Sequence, residues 1–432
     1  MANLILPVKG TRDFYPEDWA FETWFYQKVK EVSELFGFQE YEGPLLERLD
    51  LYAAKSGEEL VKKQAFTLQD RSGETLTLRP EMTPTLARMV AQKAGELIFP
   101  IKWFTFGRRF RYEKPQRGRA REFFQWDCDI LGLETPESDA EVIAIAATLL
   151  EKLGLSPREV KIKINDRKLL EKKLFEIGIV EKKTISAFRL IDKRDKMPRK
   201  ELIEYGIEEG FTEDQIKVML QITEEKNAYL NSPSLIKIFE LLKKYGIADF
   251  VEYDPGIVRG LEYYTGTVFE GWDVKGEFRA IWGGGRYDNL TAEVGGKTKI
   301  PGVGFAMGDM VIAEILKANN KYPSLSVNKT QVLVTVFSPN LITPAIETAN
   351  LLRRNNINTE IYLNPEIKLD KQIKYADKKG IPFVVIIGPE EIENELATIK
   401  ILKTGEQKKF PRKDLPSALK EFSMKFSSSN VR

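Results

Sequence analysis

Apolar and aromatic side chains recur at helical spacing from Trp19 to Phe36, and Gly37 follows. The first segment is therefore predicted as a helix over 18–36, stopped by a residue free to turn left-handed. Residues 74–79 alternate and predict a strand. Thr83 before Pro84 predicts an N-cap and a first helical residue, opening a helix over 84–97. Two alternating runs at 102–112 and 121–131 predict paired strands joined by the polar loop KPQRGRA, with a helix at 138–153 behind them. Between about 165 and 248 the pattern becomes Lys- and Glu-rich and helical, a helical insertion with little strand signal. Strand character returns at 257–270, before the glycine-rich run GGGRYDNL that begins at Gly283.

A polar, turn-rich stretch at 318–329 predicts a linker. Beyond it, strand runs (QVLVTVFS, 359–363, PFVVIIG) alternate with helical runs (342–354, 368–379). That order predicts a small α/β domain on a mostly parallel sheet. The expected domains are 1–325, carrying the insertion, and 330–425, with the tail FSSSNVR frayed.

The strand pair carries the chemistry. Alternate residues of a strand face one side. Arg109, Arg111 and Glu113 therefore share a side, as do Arg121, Phe123, Gln125, Asp127 and Asp129. Phe110, Tyr112, Phe124, Trp126, Cys128 and Ile130 take the other side and can pack on a helix. The charged face has two readings. It is a cleft in which arginine forks meet phosphate and a ring stacks on a base. Alternatively it is a solvated sheet laced by cross-strand ion pairs.

Composition narrows the chemistry. The 432 residues include one cysteine, Cys128, and no histidine. A disulfide within the chain, a His/Cys zinc site and histidine general-base catalysis are all excluded. Carboxylates, arginines, backbone groups and bound metal must carry any reaction. With 66 basic and 64 acidic residues, the net charge of +2 leaves room only for a local basic face toward one RNA. No apolar run approaches the roughly 20 residues of a membrane helix. The start, MANLILPVKG, lacks the features of a secretion signal, so a cytoplasmic location is expected.

Three more segments could bear function. In TLRPEMTP, Glu81 and Thr83 sit where a helix opens, as ligands or as ordinary helix-terminus residues. In IVRGLEYYTGTVFE, Arg259 lies within an apolar run and needs an anion or a carboxylate such as Glu262 or Glu270. Tyr263 and Tyr264 beside it are pocket or core tyrosines. The glycines of GGGRYDNL and GVGFAMGD permit close approach by a nucleotide, or merely mark bends.

Taken together, KGTRDFYP, FGFQEYEGPLLE, RRFRYEKPQRGRAREFFQWDCDILG, RGLEYYTGTVFE and GGGRYDNL resemble the histidyl-tRNA synthetase family over nearly the whole chain. The resemblance implies an α+β fold: a class II synthetase antiparallel sheet flanked by helices, with a helical insertion and a C-terminal α/β anticodon-binding domain. It implies activation of histidine by ATP with Mg²⁺, transfer to a histidine tRNA, and a homodimer meeting near Pro44. It places Arg111 on the α-phosphate, Glu113 on the adenine amino group and Phe123 against the ring. Arg119 and Arg121 would meet the outer phosphates or the tRNA end. Glu81, Thr83 and Gln125 would hold the α-amino group, and Tyr263 would line the histidine pocket. Asp129 and Tyr264 would read the imidazole nitrogens, and Arg259 the substrate carboxylate and α-phosphate. No metal site built from protein alone is expected.

Two positions depart from the family pattern. Val311 stands where an arginine usually clamps the ATP tail, so either another cation such as Arg119 or Arg286 takes over or ATP binding is weakened, and replacement is expected. Glu262 stands where aspartate is usual. The alternative reading is a non-catalytic paralogue, a regulatory subunit of histidine biosynthesis or an amino-acid sensor.

Overall fold

The computed structural model describes residues 4–53, 63–194 and 196–428. Of the tail FSSSNVR expected to be frayed, residues 426–428 continue the helix Leu415–Ser428, and 429–432 lie outside the described residues. The chain divides into two compact units between Ser324 and Leu325, inside the polar stretch 318–329.

In the first unit, helix Pro16–Leu35 leads into β1 (Gln39–Glu40), with Gly37 left-handed at φ 76° at the break. A small sheet of β2 (Leu46–Arg48), β3 (Phe66–Gln69) and β4 (Thr75–Leu78) follows, in the order β2-β4-β3. Among the described residues an eight-stranded sheet joins β1 to seven further strands. These are β5 (Ile101–Phe110), β6 (Glu122–Leu131), β7 (Val160–Asp166), β8 (Val251–Tyr253), β9 (Thr267–Asp273), β10 (Trp282–Arg286) and β11 (Gly302–Gly308). Their order is β1-β5-β6-β11-β10-β9-β7-β8. The six central strands pair antiparallel, and the short edge strands β1 and β8 pair parallel.

Alternation along β5 and β6 sorts the faces as the sequence predicts. Arg109 pairs with Phe123, Gly107 with Gln125, Thr105 with Asp127 and Trp103 with Asp129. The opposite face is apolar: Phe106 meets Phe25 of the first helix at 5.7 Å and Phe124 at 5.5 Å, and Trp126 meets Phe305 at 4.7 Å. Helix Pro136–Lys152 covers the rest of that face. Each large ring buried there contributes on the order of 2–3 kcal/mol. This anchored sheet lets the other face carry charge.

Several expectations are corrected. The sequence reading missed β7, a seven-residue strand that leads into the helical segment expected from about 165. The helices between Arg167 and Ile222 share a core of their own. Helix Pro233–Lys244 instead packs on Pro136–Lys152. Helix Thr83–Lys93 is shorter than expected, and Thr83 is its first residue without a capping side-chain bond. Residues 257–266 are irregular and the strand begins at Thr267, so Arg259 sits outside a strand at φ 56°. Left-handed backbone at a non-glycine residue costs about 1–2 kcal/mol and clusters at functional sites.

The second unit contains β12 (Val332–Val334), β13 (Thr359–Ile361), β14 (Phe383–Ile386), β15 (Leu396–Ile401) and β16 (Gln407–Pro411). The order is β13-β12-β14-β15-β16. The first three strands pair parallel. The β15–β16 hairpin adds antiparallel pairs, so the sheet is mixed and not mostly parallel. Gln372 lies fully buried beside it. Its amide accepts from Val336 N and donates to the Val336 and Ile367 carbonyls at 2.7–2.9 Å.

Candidate active site

The charged face of the central sheet opens into a cavity of about 440 Å³. Glu81, Thr83, Arg111, Glu113, Arg119 and Phe123 line it, and so do Gln125, Arg259, Tyr263 and Tyr264. The structure therefore gathers residues from the helix opening at Thr83, the β5–β6 hairpin and the irregular 257–266 segment. Two expected residues lie outside the lining. Arg121 stacks on Tyr112 at 4.0 Å and donates to the Glu113 carbonyl. Asp129 sits beneath Gly304, accepting from the hydroxyl of Tyr287, a lining residue, at 2.6 Å.

One end of the cavity is rich in acceptors and hydroxyls. The Tyr263 hydroxyl donates to Glu81 Oε2 at 2.9 Å. Thr83 serves the same hydroxyl and does not cap its helix. Burial, and then the Glu81 charge, hold the Tyr263 phenol well above its ordinary pKa, so it remains a donor. Gln125 is buried and its Oε1 has no hydrogen-bond partner among the described residues. A buried acceptor left in this way costs about 1–3 kcal/mol, which a ligand donor would recover.

The other end is rich in guanidinium. Arg111 donates to the Pro80 carbonyl at 2.9 Å and lies 5.4 Å over the Phe123 ring. Arg119 approaches Glu113 at 3.3 Å. Arg259 bonds Glu270 at 2.9 Å, and its guanidinium lies 5.7 Å over Tyr264. Desolvation works against its charge, yet Tyr264 and Glu270 outweigh that and raise its pKa above the ordinary value.

Glycine makes this packing possible. Gly283 and Glu270 are direct cross-strand partners, so the Arg259 guanidinium reaches its acid by lying across Gly283. A Cβ there would stand 1.5 Å from Arg259 Nη1. Gly285, two residues on and on the same face, admits the Tyr264 ring, which a Cβ would meet at 2.8 Å. Gly304 likewise leaves room for Asp129. These glycines admit the protein's own side chains, a use that neither sequence reading, approach by a nucleotide or a bend, anticipated.

At the floor of the cavity the cross-strand ion-pair reading also holds in part, but the pair is buried and not solvated. Arg109 and Asp127, 0% and 2% exposed, bond at 2.6 Å. Burial raises the Asp127 carboxyl while Arg109 pulls it back. Burial drives Asp129 well above the carboxylate range. The Tyr287 bond lowers it and the Asp127 charge raises it further.

Some residues at the site were missed or misplaced. Asp127, Tyr287 and Arg279 all line the cavity. Asp127 was legible from strand alternation, whereas Tyr287 and Arg279 had no periodic signal. Arg286, a candidate for the missing cation, is spent elsewhere: it is buried and bonds Asp139 at 2.6 Å and Asp288 at 3.1 Å. Glu262 pairs with Arg189 of helix Thr184–Lys193. Asp309 accepts from Arg12 at 2.7 Å and from Phe124 N at 3.1 Å, tying its helix to the sheet. No group of three or more Asp, Glu, Cys or His side chains fit to hold a metal occurs among the described residues. Nor is any described helix long and apolar enough to cross a membrane.

Comparison with known proteins identifies the family. The family described as histidyl-tRNA synthetase matches residues 10–310, and the family described as anticodon binding domain matches residues 331–422. The chloroplastic/mitochondrial histidine–tRNA ligase of Arabidopsis thaliana is 36% identical over 419 residues, covering 95% of this chain and 85% of that one. The histidine–tRNA ligase of Thermoplasma volcanium is 36% identical over 416 residues, covering 93% and 95%. The crystal structure of histidyl-tRNA synthetase from Nostoc sp. PCC 7120 superposes with a TM-score of 0.76 at 26% identity, covering 98% of this chain and all of that one. The matched family spans most of the chain and the relatives align almost end to end, so the chain belongs to the histidyl-tRNA synthetase family.

Proposed function

We propose that this protein is an ATP-dependent histidine–tRNA ligase, which forms histidyl-adenylate and pyrophosphate and then transfers histidine to the 3′ end of its tRNA. One observation carries the reading: a single cavity sets an acceptor-rich end (Glu81, Gln125) against a guanidinium-rich end (Arg111, Arg259), with the Phe123 ring beside Arg111. An amino acid has an ammonium at one end and a carboxylate at the other. It would bind with its ammonium toward Glu81 and Gln125 and its carboxylate toward Arg259.

The carboxylate oxygen then attacks the α-phosphorus of ATP. The new O–P bond forms as the bond to pyrophosphate breaks. Arg111 and Arg259 neutralise charge gathering on the phosphoryl oxygens. The nucleophile is already an anion, so no general base is required, and a chain without histidine loses nothing. Glu113 would accept from the adenine amino group, and Phe123 would stack on the ring.

Selection of histidine falls to Tyr264 and Asp129. A buried acid held above its usual range gains from an imidazole N–H, and a substrate lacking that group strands it. Arg119 and Arg121, at the rim, would meet the outer phosphates or the tRNA end. The protein offers no cage for Mg²⁺, which would enter on the phosphates of ATP. The 331–422 unit would read the anticodon. Exposed Leu45 and Leu46 beside Pro44 suit a homodimer contact, and the cytoplasm is the expected location.

The test is amino-acid-dependent ATP–pyrophosphate exchange across all twenty amino acids, followed by charging of a histidine tRNA transcript. Exchange with histidine alone, and charging, are expected. Histidine binding without exchange or charging would instead indicate the regulatory paralogue.

A further inference from the structure

One corner of the cavity has more positive charge than it can balance. Arg111 and Arg119 come from the β5–β6 hairpin, and Arg279 comes from the β9–β10 loop. Glu113 is the one carboxylate among the groups that set the Arg279 pKa, and it already stands 3.3 Å from Arg119. Arg279 itself makes no hydrogen bond or ion pair among the described residues. As a residue it is exposed, yet enough protein surrounds its head group to matter. That burial, then the facing Arg119 and Arg111, draw its pKa down to about 10, with Glu113 opposing. It is still cationic at neutral pH. Three guanidinium forks around one occupied acid form a receptor for a multiply charged anion.

The corner is also held together. Arg117 lies 4.8 Å over the Phe278 ring, next to Arg279, and bonds Glu314 of helix Asp309–Ala318 at 2.9 Å. The hairpin loop thus touches both the β9–β10 loop and that helix. From the helix, Val311 presents only carbon. It is 3% exposed, and its Cγ2 lies 3.3 Å from where a Cβ on Gly118 would stand. No cation reaches the corner from the helix, and Arg286 is consumed by Asp139 and Asp288.

We propose that Arg279 binds the outer phosphates of ATP in this chain, supplying from the β9–β10 loop the cation that Val311 cannot. The proposal rests on the ligase reading and adds to it a phosphate-binding residue. It also explains why a chain with valine at that position could keep its activity.

The experiment uses the full chain and compares Arg279→Ala with the parent. Pyrophosphate exchange gives KM for ATP and for histidine, and calorimetry gives affinities for ATP and AMP. Loss of an outer-phosphate contact should raise KM for ATP about tenfold or more. AMP affinity and KM for histidine should stay within about twofold. Arg279→Lys should recover part of the loss, and adding Val311→Arg to Arg279→Ala should recover more. Equal weakening of ATP and AMP, or unchanged ATP affinity, would overturn the proposal. If the parent binds ATP but exchanges nothing, the ligase reading fails. The ATP-against-AMP comparison then still judges Arg279.

Discussion

Gly283→Ala tests whether the position of Arg259 matters for the chemistry, without touching any side chain that meets substrate. The added Cβ would stand 1.5 Å from Arg259 Nη1 and 2.5 Å from Cζ. Ordinary contact begins near 3.4 Å, so the guanidinium must retreat by roughly 2 Å. The obstacle is the far end of a flexible side chain, so the fold can give way cheaply. Replacing glycine where the backbone is not left-handed also recovers about 0.4–1 kcal/mol from the unfolded chain. Glu270 keeps its bond from Trp272 Nε1 at 2.9 Å. The melting temperature should therefore change by only a few degrees.

Catalysis should not be so tolerant. A misplacement of 1 Å can cost about 10²-fold, so a 2 Å retreat predicts a loss of roughly 10²–10³-fold in kcat/KM, or about 3–4 kcal/mol. Histidine-dependent pyrophosphate exchange measures it, with a thermal melt alongside. Gly284→Ala gives the contrast. Its Cβ would lie 2.2 Å from the Gly304 carbonyl oxygen, backbone that cannot step aside, so it should lower the melting temperature first. A folded Gly283→Ala protein with exchange within about threefold of the parent would show that the position of Arg259 is not used in catalysis.

Three more predictions follow from single groups. Asp129→Asn keeps the shape but replaces the buried carboxyl with an amide; KM for histidine should rise about 10–100-fold with KM for ATP unchanged, and an unchanged histidine KM would remove Asp129 from recognition. The Glu22 carboxyl is raised from 4.5 to about 9, first by burial and then by the Asp309 charge and hydrogen bond, with Arg12 opposing. A raised acid contributes stability below its unfolded pKa that is lost as pH climbs to its folded one, on the order of 2–3 kcal/mol by pH 7. Denaturation midpoints from pH 5 to 9 should fall for the parent relative to Glu22→Gln, and parallel curves would contradict the shift. In the second unit, Gln372→Ala strands the Val336 N–H and two carbonyls, and should cost that unit about 2–3 kcal/mol. Pyrophosphate exchange should be unaffected, and a melt showing no earlier transition would refute the role given to the amide.

Strand periodicity alone determined the two faces of β5 and β6, because a residue's side follows from its parity along the strand. Phe123, Gln125 and Asp127 were assignable to one face, and Trp126, Cys128 and Ile130 to the other, before any fold was known. The alternation of strands and helices after 330 was legible for the same local reason. The site as a whole was not legible, because its members meet through long-range pairing. Arg259 reaches its acid only because β9 and β10 set Glu270 opposite Gly283. Nothing local marked a left-handed arginine, so its segment looked like a strand. Asp129 and Tyr287 lie 158 positions apart and meet because β6 and β10 flank β11, with Tyr287 just past the end of β10. Arg286 and Arg279 look alike in sequence as basic residues near glycines. Only packing decided that Asp139 and Asp288 neutralise the first and that the second faces two other arginines. Sequence fixes which chemical groups are available and their local direction. Which charges meet a partner inside the protein, and which are left for a ligand, depends on desolvation and pairing that exist only in the folded chain.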